Sequence, residues 1–379
     1  MNSSEKYILS QVKIYLAATF FFLLVSGSAC GQKKKVETEQ GEVAVREIAQ
    51  NLEHPWGMAF LPDGRLLVTE RSGQLRILSN DTTLSDPLQG VPEVFAKGQG
   101  GLLDVALDPD FETNSLVYLS YAEPGPDNTA STALGRGRLE GNSIRDFSVI
   151  FRQEPKVDGS NHFGSRIVFF KGKIFLTLAE RFKFDPAQDL SNHLGAIVRI
   201  NRDGSIPPDN PFADQNDAED AIWTYGHRNI QAAAIDPNTG NFWVAEMGPQ
   251  DGDELNLITA GNNYGWPIVS WGENYDGSDI PDPPTRPEFT DAVVKWTPVI
   301  SPSGMEFYTG DIFPEWQGKM LIGGLSSKAL VVVTVNGEQA KESDRLDLGA
   351  RIRNVKQAPD GSVYLLTDQN NGKILRLTK

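Results

Sequence analysis

A single cysteine, Cys30, stands in the 379-residue chain, so no intrachain disulfide can form. Histidine is nearly as scarce: His54, His162, His193 and His227 are the four imidazoles available for proton transfer near neutral pH. Basic runs are missing beyond residues 33–35 (KKK), and the formal net charge is −15. Duplex nucleic acid would meet net repulsion, so no nucleic-acid partner is expected. Acidic loops suit calcium and neutral sugars better. Past residue 25 no stretch carries the sustained 3.6-residue apolar period of a helix, which argues against a helical bundle.

Turn chemistry is abundant instead. There are 36 Gly and 23 Pro against 39% hydrophobic residues, a balance that favours many short strands. Residues 14–25 (IYLAATFFFLLV) form an apolar core of signal-peptide length, too short to span a bilayer comfortably. Lys6 and Lys13 precede it, and small residues lead to Cys30. This resembles a bacterial lipoprotein signal over residues 1–29, with Cys30 as the acylated residue. Gly27 departs from the usual aliphatic position, and an ordinary secretory signal with an incidental cysteine is the alternative. Either reading implies export, to the periplasm or to an outer-membrane anchor. Residues 30–42 are expected to be a flexible tether, and residues 43–379 one domain.

That domain repeats itself. Residues 56–78 (WGMAFLPDGRLLVTERSGQLRIL), 102–121, 163–178, 231–246, 303–323 and 355–377 each join a short apolar strand to a second through a Pro-, Asp-, Asn- or Gly-rich turn. One such sheet cannot bury both faces, but six packed radially can. The expected fold is therefore all-β, a six-bladed propeller of four-stranded antiparallel sheets with long loops, at roughly 55 residues per unit. Residues 42–48 (EVAVREI) alternate and are expected to close the ring against the last blade. Residues 223–275 read as one blade whose loops floor a site.

Eight short motifs occur in order: 98–103 (GQGGLL), 162–166 (HFGSR), 225–229 (YGHRN), 246–249 (EMGP), 253–256 (DELN), 263–267 (NYGWP), 303–305 (SGM) and 351–355 (RIRNV). Together they resemble the soluble quinoprotein glucose/sorbosone dehydrogenases, most closely the periplasmic aldose sugar dehydrogenases. The resemblance runs from about residue 54 to 377 and implies pyrroloquinoline quinone (PQQ) and calcium as cofactors. It further implies an aldose oxidised at its C1 hydroxyl to a lactone, and an external electron acceptor.

By that resemblance His162 is the proton acceptor. Taken alone, a histidine before Phe-Gly-Ser-Arg is more often a satisfied loop or core residue. The resemblance places Gln99, Arg228, Asn229, Tyr275, Gly324, Leu325, Ser326, Arg351, Ile352 and Arg353 at the cofactor. Arg351 and Arg353, two apart on a strand, are expected to point the same way. Gly248 and Pro249 are implied to hold a calcium through their carbonyls, and Glu254 with Tyr264 a second one; an acidic solvated turn is the plainer reading of 251–254. Three departures stand out. Ser326 replaces a family lysine, with Lys328 two residues on as a possible substitute. Residues 179–184 (AERFKF) replace Gly-Glu-Arg-Asn-Gln, and Asn161 stands where glucose-type members carry aspartate. The rival functions are a non-catalytic propeller binding a glycan or protein partner, and a calcium-dependent lactonase.

Overall fold

The computed structural model describes residues 33–38 and 41–379, except residue 81. The signal segment and Cys30 lie outside the described residues. Six antiparallel sheets follow one another along the chain; five have four strands and one has five. Their first strands are Pro55–Phe60, Leu102–Leu107, Ile167–Phe170, Ile230–Ile235, Pro302–Phe307 and Ile352–Gln357. Each touches its two neighbours, and the last meets the first, so the sheets form a closed six-bladed propeller. All six hairpins expected from the repeat are present.

The core is divided in the way this geometry demands. Each of six apolar clusters draws on two adjacent blades. Between the second and third blades, for example, Tyr118 and Leu134 meet Ile174, Leu176 and Val198. A blade is thus stable only beside its neighbours, and the ring leaves no open sheet face.

Closure follows the expected route. Strand Gly41–Leu52 pairs with Gly372–Thr378, with Val45 opposite Leu377. The tether assigned to 30–42 needs correction, because Lys33–Thr38 form a fifth strand with Val36 opposite Val43. Val36 packs against the cluster between the fifth and sixth blades, which gives this polar segment a reason to stay on the edge. Residues 223–275 also straddle two blades. Ile222–Thr224 is the outer strand of the third, and the fourth begins at Ile230–Ile235.

Candidate functional site

The third blade opens with a hairpin, Ile167–Phe170 to Lys173–Thr177, turned by Lys171 and Gly172 at φ 48° and 74°. Two consecutive positive φ values match a tight type I′ turn. An antiparallel hairpin returns the chain to its starting end. His162, ahead of the first strand, therefore meets Glu180, just after the second: Nδ1 lies 2.6 Å from Oε1, with both residues buried. The His162 backbone N–H donates to Gln99 Oε1 at 2.9 Å. No described residue hydrogen-bonds Nε2. Burial lowers the His162 pKa below its ordinary value, the Glu180 hydrogen bond opposes that shift, and the Arg228 charge reinforces it. The imidazole is thus neutral at pH 7, and with Nδ1–H donated to Glu180, Nε2 carries the open lone pair.

The second Glu180 oxygen accepts the N–H groups of Lys183 and, at 2.9 Å, Phe184. These bonds hold an unfavourable backbone. Arg181, Phe182 and Phe184 have φ of 59°, 61° and 64°, a region that costs roughly 1–2 kcal/mol per non-glycine residue. Arg181 adds a stack on Phe163 at 3.8 Å and donates to the Gly159 carbonyl at 2.8 Å.

Next to His162, a cavity of about 300 Å³ opens on Phe163, Gly164 and Gln99 and reaches the last blade. Its charge is unbalanced. Arg71, Arg351 and Arg353 face the single carboxylate of Asp368. Arg351 and Arg353 both donate to Asp368 Oδ2, at 3.1 and 2.7 Å, so the two do turn the same way. Against burial, which would raise it, Arg353, His54 and Arg351 hold the Asp368 carboxyl below the usual range. Nε of Arg71 and of Arg353 is buried without a partner among the described residues. Such unmet donors want an anion with several acceptors. Gly101 lets Arg71 sit here: at φ 143°, a Cβ on it would lie 2.0 Å from the Arg71 carbonyl oxygen.

Arg166 lines a separate cavity with Asp104; it stacks on Trp56 at 3.9 Å and donates to the Gln231 and Arg353 carbonyls and to Asp104. Its partners come from four other blades. Burial pulls its pKa down to about 10, so it stays charged.

Gln99, Asn229, Leu325, Arg351 and Arg353, assigned to the cofactor by resemblance, line the main cavity. Five other residues assigned to the cofactor do not. Arg228 donates to the Met247 and Gly248 carbonyls, at 2.9 and 2.6 Å, and to the Tyr275 hydroxyl at 3.3 Å. Tyr275 itself is 63% exposed. The Ser326 hydroxyl turns to the Val299 carbonyl at 3.0 Å, and Lys328 is absent from the lining. The Ile352 side chain is spent in the core between blades five and six, since alternate strand positions face opposite ways. Gly324 packs on Ser327, whose Oγ a Cβ would meet at 2.0 Å.

Gly248, Glu254 and Tyr264 border a second, very small cavity of about 10 Å³, the volume of one water or ion. Pro249 is not part of it. Desolvation, and then repulsion from Glu246, push the Glu254 carboxyl up to about 8. Among the described residues no group of three or more His, Cys, Asp or Glu is arranged for a metal. A cation here would lean on backbone carbonyls as well as Glu254, a donor set suited to calcium.

Sequence reasoning passed over Glu180, Arg71 and Asp368. Glu180 carried a signal, an acid in the AERFKF segment at the hairpin's far end. Arg71 and Asp368 carried none, because they stand at opposite ends of the domain sequence and share a cavity only once the ring closes. His54, expected to be structural, lines the main cavity with Nδ1 2.9 Å from Asp368 Oδ1.

A model of the family described as Glucose / Sorbosone dehydrogenase matches residues 52–376. Aldose sugar dehydrogenase YliI of Escherichia coli (strain K12) is 44% identical over 346 residues, covering 89% of this chain and 93% of that protein. The apo-form crystal structure of the soluble E. coli aldose sugar dehydrogenase superposes with a TM-score of 0.85 at 44% identity, covering 89% of this chain and 99% of that one. The PQQ-bound aldose sugar dehydrogenase of Streptomyces coelicolor gives a TM-score of 0.71 at 27% identity, over 88% of this chain and 98% of that one.

Proposed function

The chain belongs to the glucose/sorbosone dehydrogenase family, and on that premise we propose an exported PQQ- and calcium-dependent dehydrogenase that oxidises aldoses at C1 to lactones. One observation carries the reading: His162, neutral with an open Nε2, is bonded to Gln99 and precedes Phe163, and these two line a cavity whose three arginines outnumber its one carboxylate.

The cavity suits PQQ, a flat tricarboxylate. Arg353, Arg71 and Arg351 would hold its carboxylates, and Asn229 and Gln99 would supply neutral donors. The small cavity at Glu254 and Tyr264 suits calcium; the Gly248 carbonyl, already taken by Arg228, suits it less. When bound, the quinone supplies the two-electron acceptor and calcium a Lewis acid. The protein's side chains supply the rest. Oxidation at C1 removes a hydroxyl proton, and His162 Nε2 takes it. Glu180 fixes the tautomer that leaves Nε2 free, and its negative charge then stabilises the imidazolium. Ser326 takes no part, and the arginines carry the charge the family lysine would have brought.

The aldose and an external electron acceptor are the partners of this reading. Export and a lipid anchor at Cys30 complete it. The test is dye reduction by purified protein loaded with PQQ and calcium, over a panel of aldoses. No quinone binding and no reduction would overturn the proposal. Lactone hydrolysis without quinone would favour the lactonase.

A further inference from the structure

Four large hydrophobic side chains are exposed among the described residues: Phe182, Ile206, Ile268 and Tyr275. An isolated exposed apolar residue needs no explanation. Phe182 does, because its exposure is maintained against a conformational cost. It is 39% exposed at φ 61°, and Arg181 and Phe184 to either side also have positive φ. Strain of this kind persists where the surroundings over-determine it, and it gathers at ligand sites.

The surroundings here do over-determine it. The Phe182 ring stands 5.1 Å from the His162 ring, with the planes 80° apart. Phe184 backs it at 5.2 Å, and Trp266 backs Phe184 at 5.5 Å. Glu180 holds His162 with one oxygen and the Lys183–Phe184 backbone with the other. One carboxylate thus sets the position of the base and of the ring beside it. Gln99 and Glu180 hydrogen-bond His162, and the charges of Arg228 and Arg181 act on it.

We infer that Phe182 is a specificity-determining residue of the sugar site, its ring the apolar platform on which the C–H face of the pyranose stacks while His162 takes the hydroxyl proton. The inference rests on the proposed aldose oxidation. A pyranose carries hydroxyls around its rim and C–H groups on its faces. The rim suits polar side chains, and the weakly positive C–H face suits the negative face of an aromatic ring. Phe182 is the exposed aromatic ring in contact with His162, and it favours cyclic sugars over open-chain polyols, which present no such face.

Phe182→Asn removes the ring while keeping a residue that tolerates positive φ. Phe182→Tyr keeps the ring. In the loaded enzyme, Phe182→Asn should raise KM for pyranoses about tenfold with kcat held within about twofold, and Phe182→Tyr should resemble the parent. Calorimetry with 1-deoxyglucose, which has no C1 hydroxyl to oxidise, reads the same contact without turnover. Its affinity should fall by the same factor in Phe182→Asn. A lower kcat at unchanged KM would make the ring a prop for His162 and overturn the inference, as would no change at all. If no aldose is oxidised but 1-deoxyglucose still binds through Phe182, the dehydrogenase reading falls and the stacking stands. Oxidation that is indifferent to Phe182→Asn sinks the stacking alone.

Discussion

Two buried histidine–carboxylate pairs stand on neighbouring blades, built almost alike. His162 meets Glu180 and His227 meets Glu246, each through Nδ1 and Oε1, at 2.6 and 2.9 Å. In each the second carboxylate oxygen takes backbone N–H groups, those of Lys183 and Phe184 in one and of Arg228 in the other. They differ at the far nitrogen. His227 Nε2 lies 3.0 Å from Thr224 Oγ1, and its ring stacks on Tyr264 at 4.5 Å with no exposure. His162 Nε2 has no described partner. The same pair locks structure when both nitrogens are used and offers a base when one is left open.

The sharpest way to break this comparison is to remove each imidazole. His162→Ala should lower turnover by roughly 10²–10⁴ while the protein stays folded. His227→Ala should instead cost about 3 kcal/mol of stability, because Glu246 stays buried without its partner, and turnover per folded molecule should fall far less. Chemical denaturation alongside dye reduction separates the two, and equal losses of turnover would erase the distinction. Next, calcium bound on the Glu254 side should stabilise the fold by about 2.7 kcal/mol at a hundred times its Kd, read as a higher melting temperature, and Glu254→Gln should lose that gain.

Glu180→Gln should lower kcat/KM by roughly 10–100-fold. The pH profile gives the sign. The base works when neutral, so activity is lost as pH falls through the His162 pKa, which burial already places below 6.5. Glu180 raises that pKa, so its loss should move the acid limb to lower pH; a shift upward would refute the assignment. Smallest of all, Thr224→Val should cost about 1 kcal/mol of stability and leave kcat/KM alone, since it frees a nitrogen that nothing can reach.

Much of the architecture was legible because it is local. Each hairpin is written within about twenty residues, in alternation and turn residues, so six repeats announced six blades. The closing strand was legible from the alternation at 42–48. The strand at Lys33–Thr38 was not, because its composition is that of a linker and only the single apolar Val36 ties it down. The motifs supplied Gln99, Asn229, Arg351 and Arg353, which the fold brings to one cavity. Other motif residues spend their side chains elsewhere. Ile352 faces the core, Ser326 caps a carbonyl, and Arg228 serves the Gly248 loop beside the small cavity.

What the order of residues determined by itself is the ring, since period-two patterns and positive-φ turns act between neighbours and leave the sheets only one another to pack against. What the tertiary structure alone decided is which polar groups are left over. Arg71 and Asp368 come to line one cavity because closing the ring brings the first and last blades together. His162 keeps an open Nε2, and His227 a closed one, because Thr224 and Tyr264 fold against the second and not the first. A hydrogen bond is satisfied or left open by whatever arrives across the fold, and no local pattern encodes that.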